Sequence, residues 1–312
     1  MTQDIRKAAL KHGYINAGLV TGHPFELWRN RVQGTYAESF AHIYDPAKAI
    51  GWPLDEITLW VAIAPTPPIS WPESCGEIGA FYMNPQVKKD RRKAWADDIE
   101  AMGYEINRGA FLPERAAAIR AGLGVHGLNG LLIAPDYGSF VYINVLAVRT
   151  APPQDARGPE YDLSQGCGNC GACISACPTG AISENGLNTH ICLRSYMNEL
   201  DKLPQDAYSK MGRRIYGCDA CQLACPHNAN LERTQPSAEM EACMQLEELL
   251  TNPTVGGVIQ NGQLTESYVK SQAALAAANT GREDLLPLVE ALTGSDDANI
   301  KKMAQWAASR LR

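Results

Sequence analysis

No stretch of this chain approaches the roughly 18 consecutive apolar residues that a membrane-crossing helix needs. The first residues, Met1 to Tyr14, lack the apolar run of a secretory leader. These two absences predict a cytoplasmic protein without a membrane partner. Positive charge is not in excess: 28 Lys and Arg stand against 34 Asp and Glu, a net charge of -6. There is thus no global drive toward nucleic acid or anionic lipid, and tRNA as a partner finds no support in net charge. Aromatic residues make up only 7%. Of the six histidines, His12, His23, His42, His190 and His227 show no metal-ligand spacing.

Against these scarcities stand ten cysteines in 312 residues. Eight of them fall between Cys167 and Cys225. A secreted disulfide scaffold would be short and led by a signal peptide, so metal binding is the better explanation. The length suits two or three domains, and a hydrophobic content of 45% is enough to build their cores.

Asp4 to Gly13 has helical spacing, with Ile5, Ala8, Ala9 and Leu10 on one side. Ile15 to Val20 and the β-branched run Ile57 to Ala64 predict strands, the second closed by Pro65-Thr66-Pro67-Pro68. Asn84 to Met102 and Pro113 to Gly122 predict helices. Leu131 to Ile133 and Ser139 to Val148 read as strands again. This alternation makes the first 150 or so residues an α/β or α+β unit. A polar, proline-bearing linker follows, Thr150 to Gln165. Beyond the cysteine module, Met240 to Leu250 is apolar-periodic, and Glu266 to Asn279, Glu283 to Leu292 and Asn299 to Leu311 predict helices. Gly281 stops the first of these three. Such short helical pairs resemble HEAT-type repeats and must pack on the rest of the protein to bury their faces. The fold class expected is α+β, with domains at 1–155, 160–232 and 236–312.

The cysteines carry the chemistry. Cys167-x2-Cys170-x2-Cys173-x3-Cys177-Pro178 is the bacterial ferredoxin spacing, in which the fourth cysteine serves the other cluster. Gly166, Gly168 and Gly171 allow the backbone close to inorganic sulfide. The second run is split: Cys192 stands apart from Cys218-x2-Cys221-x3-Cys225-Pro226. The swap rule then predicts one [4Fe–4S] cluster on Cys167, Cys170, Cys173 and Cys225, and another on Cys177, Cys192, Cys218 and Cys221. A zinc ribbon needs only four ligands and explains neither the number nor the two Cys-Pro endings. Cys75 and Cys243 are left over and are expected to be small buried hydrophobes. Two clusters imply electron relay, from a low-potential donor such as a ferredoxin or flavodoxin to an acceptor elsewhere in the protein.

The order of parts resembles the epoxyqueuosine reductase family of cobalamin-dependent enzymes acting on a modified tRNA nucleoside. The matching stretches are Tyr44-Asp45-Pro46, Pro113-Glu114-Arg115-Ala116-Ala117-Ala118, Ala121-Gly122-Leu123-Gly124, Gly138-Ser139, Cys167 through Ala181, and Arg214 through Pro226. The resemblance implies that residues 1–155 form a corrinoid-binding α/β domain. It implies a cobalamin held near Gly122, Leu123, Gly124, His126, Asn129, Gly138 and Ser139, beside the cluster of Cys177, Cys192, Cys218 and Cys221. Leu128, Leu131, Leu132 and Ile133 add an apolar surface suited to a corrin face. His126 is a candidate contact or cobalt ligand. Its plainer explanation is a loop histidine bonded to backbone.

The chain departs from the family where substrate should be met. The family's Asp-Tyr-His motif corresponds to Gly79-Ala80-Phe81-Tyr82-Met83, in which only the tyrosine survives. Its proton-donating aspartate, six residues before the Glu-Arg pair, corresponds to Arg108, a guanidinium that cannot act as an acid. Its Gly-Trp-Ile-Gly-Lys-Asn loop reads Gly124-Val125-His126-Gly127-Leu128-Asn129. Tyr82 and Arg108 are candidates for a tyrosine donor beside a cation. Otherwise Tyr82 is core and Arg108 a solvated charge. The basic run Lys88-Lys89-Asp90-Arg91-Arg92-Lys93 could meet phosphates, but charge runs usually mark a solvated helix face. Three functions stay open: a corrinoid-dependent reductase of unknown substrate, a non-catalytic iron–sulfur electron carrier, and epoxyqueuosine reduction on tRNA with a relocated proton donor.

Overall fold

The computed structural model describes residues 2–32, 36–156 and 166–312. Most of the linker expected at Thr150–Gln165 therefore lies outside the described residues. The N-terminal part is built on a four-stranded sheet, in the order Asn16–Thr21, Ile57–Pro65, Val141–Arg149, Ile106–Asn107. All three pairings are antiparallel, so α+β describes this sheet and a parallel α/β arrangement does not. Leu59 lies opposite Val20 on one side and Ala147 on the other.

The run Ile57–Ala64 reads as uniformly apolar because both faces of its strand are covered. Leu59, Val61, Ile63, Val145 and Ala147 pack under Ala116 and Ala117 of the helix Glu114–Arg120. Trp60, Ala62, Ala64, Leu146 and Val148 pack against Ile5 and Ala9 of the helix Thr2–Lys11 and Trp95 and Ile99 of the helix Pro85–Ala101. The small side chains of Glu114–Arg120 let that helix lie close on the sheet.

Within the cysteine module, Ala172–Ala176 and Ala220–Leu223 are short helices. The strand Arg214–Tyr216 pairs in parallel with Glu77–Ile78, which tethers the module to the loop after the second sheet strand. The tail helices share a core with both. Ile78 and Met83, Leu193 and Tyr216, and Leu249, Leu275 and Met303 belong to one buried apolar cluster. Glu266–Asn279 is capped by the Thr265 hydroxyl, which accepts from the Tyr268 amide, and it buries nine of its residues, from Tyr268 to Ala277. Its Tyr268 hydroxyl donates to the Ile215 carbonyl at 3.0 Å. Ala298–Leu311 is capped by Asp297. The tail thus packs on the cysteine module, with Glu266–Asn279 buried on most of its faces.

A buried polar seam joins the sheet to the module. The Ser139 amide donates to Asn228 Oδ1 at 2.8 Å, and Asn228 Nδ2 donates to Ser139 Oγ at 3.0 Å. Ser139 Oγ donates to Gln222 Oε1 at 3.1 Å, and Gln222 Nε2 donates to Asp219 Oδ1 at 2.8 Å. Asp219 Oδ2 accepts from the Ala80 amide at 2.8 Å. Satisfied networks of this kind hold one geometry, because a broken member leaves a desolvated group unpaired. Gly138 sits at the tightest point, with φ +54 and space for a Cβ only 1.7 Å from Asn228 Oδ1. Gly138→Ala should therefore cost about 2 kcal/mol or more of stability. Gly51→Ala is the control, since Gly51 has φ +81 with nothing within 4 Å, and should cost about 1 kcal/mol. Denaturant unfolding of both variants measures the difference.

Candidate active site

The cysteines form two groups in space. Cys167, Cys170, Cys173 and Cys225 line one small pocket with Leu128, Asn169 and His227. Burial, then the neighbouring thiols Cys167, Cys170 and Cys225, raises the Cys173 pKa. Cys177, Cys192, Cys218 and Cys221 line the wall of a second, much larger cavity. Burial raises Cys221, followed by Cys218 and Cys192, and Cys173 of the other group also acts on it, so the two quartets are neighbours. Among the described residues no three metal-binding side chains converge on a single ion.

The surroundings suit clusters. Gly168, Asn169 and Gly171 all have positive φ, so the loop curls around the space beside the thiols. A Cβ added at Gly168 or Gly171 would meet nothing within 4 Å. Backbone amides point at sulfur: Leu128 donates to Cys167 Sγ at 3.4 Å and Ala181 to Cys177 Sγ at 3.2 Å. Burial alone would raise the Cys177 pKa, but the amides of Thr179, Ala181 and Ile182 and the Thr179 hydroxyl outweigh it and the thiol is held low. Cys75 and Cys243 are buried away from both groups, at 0% and 5% exposure.

The larger cavity, of about 410 Å³, lies between sheet and module. Leu131, Leu132, Val141, Ile143, Leu187 and Leu193 give it apolar walls. Thr66, Asn129, Ser139 and Gln222 supply hydrogen-bonding groups, and Tyr82, Glu114, Arg115, Arg194 and Asp219 its titratable ones. Of the seven residues the resemblance implies for cobalamin, Asn129 and Ser139 line this cavity. The others do not. Gly122, Leu123 and Gly124 form the turn after Glu114–Arg120, with Leu123 in the core under the sheet. Gly138 is held against Asn228. His126 packs edge-on against Trp28 with ring centroids 5.1 Å apart and is not among the residues lining the cavity.

The expected pairing of Tyr82 with Arg108 needs correction. Arg108 does not line the cavity. It follows the edge strand Ile106–Asn107 and lies against Pro85–Ala101, where Nη2 bonds Asp97 at 2.5 Å and Glu100 at 2.7 Å. The cation beside Tyr82 is Arg194, which donates to the Tyr82 hydroxyl through Nε and to the Tyr216 hydroxyl at 3.0 Å through Nη2. Its guanidinium lies 4.8 Å from the Tyr82 ring centroid. Burial raises the Tyr82 pKa above the usual phenol value and Arg194 only partly opposes it. Sequence spacing had no signal for Arg194, which reaches Tyr82 across 112 positions.

The basic run on Pro85–Ala101 is engaged with its own protein. Lys93 pairs with Asp97 at 2.6 Å, Arg91 donates to the Tyr142 hydroxyl at 2.6 Å, and Arg92 to the Arg108 carbonyl at 3.3 Å. Lys88 donates to the Phe81 carbonyl and lies 4.8 Å from the Phe81 ring centroid, and burial lowers its pKa to about 8. No helix among the described residues is long and apolar enough to cross a membrane.

Glu114 is the residue that the motif contained without revealing its use. Its side chain is exposed by surface area, but it lines the cavity, and the neighbouring walls partly strip water from the carboxyl. Desolvation raises its pKa to about 7, against the opposing charges of Arg115 and Arg92. A carboxyl raised on folding stabilises the folded state fully only below its unfolded pKa, and that contribution is lost as pH rises through about 7. Glu114→Gln should therefore gain thermal stability relative to wild type as pH rises from 5 to 8, with little difference at the acidic end. Melting curves across that range check the sign.

Comparison with known proteins agrees with this geometry. Residues 166–228 match the family of the 4Fe-4S double cluster binding domain. An epoxyqueuosine reductase from Bacillus anthracis is 30% identical over 215 residues, covering 64% of this chain and 54% of that relative. That match thus spans about half of the relative's length. The structure of epoxyqueuosine reductase from Streptococcus thermophilus superposes with a TM-score of 0.83 at 22% identity, covering 100% of this chain and 90% of that one. A crystal structure of epoxyqueuosine reductase with a tRNA-TYR epoxyqueuosine-modified tRNA stem loop gives 0.79 at 21% identity, covering 99% and 89%. The two solved relatives establish a shared fold.

Proposed function

We propose that this chain, which resembles epoxyqueuosine reductases in sequence, in fold and in its double-cluster module, is a cobalamin- and iron–sulfur-dependent reductase. The observation that carries the reading is the shared wall: the quartet Cys177, Cys192, Cys218 and Cys221 lines the same cavity as Tyr82, Glu114, Asn129 and Ser139. The two quartets are assigned as ligands of two [4Fe–4S] clusters, which supply one-electron relay, and the cavity as the site of a cobalamin, which supplies a strongly reducing, nucleophilic metal centre.

The residues present fit these groups. Leu131, Leu132, Val141 and Ile143 offer an apolar face to a corrin ring, and Thr66, Asn129 and Ser139 offer partners to its amide side chains. Among the described residues lining the cavity there is no histidine. The seam through Ser139, Gln222, Asn228 and Asp219 fixes the wall that the quartet shares with the sheet. Arg194 orients the Tyr82 hydroxyl, and the buried neighbours of both exclude water from that side. Paired tail helices of HEAT type buttress this wall through Tyr268 and Ile215. Electrons come from a low-potential donor of the ferredoxin or flavodoxin class. A non-catalytic electron carrier would leave an apolar cavity with five titratable groups unexplained.

Protein prepared without oxygen should carry about eight iron atoms and bind about one cobalamin per chain. Metal analysis with ultraviolet–visible and EPR spectra measures both. Protein that neither retains cobalamin nor binds added hydroxocobalamin would overturn the reading.

The substrate of the relatives, a modified nucleoside in tRNA, is a second reading. It is favoured by the carboxyl of Glu114, which puts an acid in the cavity although Arg108 stands in for the family's aspartate. Expression in a strain lacking its own epoxyqueuosine reductase separates the two. The primary reading, with the Asp-Tyr-His motif and loop lysine absent, expects no restoration of queuosine. Restoration selects tRNA.

A further inference from the structure

A reductase acting in this cavity needs a proton source, and Arg108 is neither acidic nor present there. Two carboxylates line the wall, Glu114 and Asp219. Both oxygens of Asp219 are engaged in the seam, by the Ala80 amide and by Gln222, each at 2.8 Å. The Glu114 carboxyl receives no hydrogen bond from the described residues. Its backbone is nonetheless fixed, since its amide donates to the Leu112 carbonyl at 2.9 Å and the next turn closes from Ala117 to Pro113 at 2.8 Å. The neighbouring cations are tethered elsewhere: Arg115 donates to the Gly130 carbonyl at 2.6 Å and Arg92 to that of Arg108. Glu114 thus presents a positioned, uncommitted carboxyl to whatever occupies the cavity.

We propose that Glu114 is the proton donor of this cavity, in the role that Arg108 cannot fill. The proposal rests on the cobalamin-reductase reading. In a reductive cleavage of a carbon–heteroatom bond, two electrons arrive from the low-potential donor. The carbon–heteroatom bond breaks, the O–H bond of Glu114 breaks, and a new bond forms between that proton and the departing heteroatom. Solvent supplies the second proton to carbon and reprotonates Glu114 through the cavity mouth. An acid works best with a pKa near the working pH. Glu114, at about 7, meets that condition, whereas burial holds Tyr82 above the phenol range. The charged and titratable groups around Glu114 are Arg115 on its own helix, Arg92 on Pro85–Ala101, and Tyr14, whose own pKa it raises. Across the cavity stand Tyr82, Arg194 and Asp219.

Infrared difference titration of the full chain, as wild type, Glu114→Gln and Glu114→Asp, tests the donor directly. A protonated-carboxyl band should disappear between pH 6 and 8 in wild type, be lost in Glu114→Gln and move in Glu114→Asp. The midpoint potential of bound hydroxocobalamin should fall with rising pH over that range in wild type. That slope should be lost in Glu114→Gln, with hydroxocobalamin still bound, and partly restored in Glu114→Asp. A titrating band that survives in Glu114→Gln overturns the proposal, and so does an unchanged slope. Wild-type protein that binds no hydroxocobalamin overturns the cobalamin reading itself, and this proposal with it.

Discussion

Sulfur atoms from remote stretches of chain are brought into two adjacent groups, and the placement of the other functional residues follows from that. Cys225 joins Cys167, Cys170 and Cys173 in one pocket, while Cys177 turns away to meet Cys192, Cys218 and Cys221. This exchange ties both ends of the module together. Thiolates held this close would repel one another, and a bound metal cluster would offset that repulsion. The short helices Ala172–Ala176 and Ala220–Leu223 have too few residues to hold the geometry by themselves. The tail and the strand Arg214–Tyr216 supply the apolar packing that the module lacks.

The cavity is a consequence of how the module docks. Antiparallel pairing places Val141 and Ile143 near the edge that faces the cysteines, and the helix Glu114–Arg120 opens there with its acidic first residue. The seam of Ser139, Asn228, Gln222 and Asp219 then fixes one wall against the other. Its buried polar groups contribute little net stability, yet they permit only one docking geometry. Apolar walls, one quartet of thiols and a carboxyl without a hydrogen-bond partner among the described residues suit the reductive site proposed for this cavity.

Much of this was legible in the sequence. Ile57–Pro65 announces itself by β-branched residues and a proline stop, and Glu266–Asn279 by its helical spacing and the glycine that follows it. The cysteine grouping follows from spacing, because three-residue intervals and Cys-Pro endings constrain the loop directly. The cavity wall did not emerge from local pattern. Arg108 was placed by counting along the chain, and counting does not say which way a side chain turns. Just past the edge strand it turns to Asp97 and Glu100. Arg194 reaches Tyr82 only because the long insertion after Cys192 folds back under the tail. Glu114 looked like an ordinary first-turn acid, since nothing in the sequence discloses that its helix begins at the cavity. His126, the most conspicuous residue of its loop, is drawn to Trp28 instead.

The proposed function depends on the grouping of the eight cysteines into two iron clusters, one of them forming part of the cavity wall. Anomalous diffraction at the iron edge from crystals grown without oxygen tests this most directly. The account predicts two compact groups of iron, one among Cys167, Cys170, Cys173 and Cys225, the other among Cys177, Cys192, Cys218 and Cys221. A single zinc scatterer at either quartet, or an iron group that takes Cys177 in place of Cys225, would contradict it.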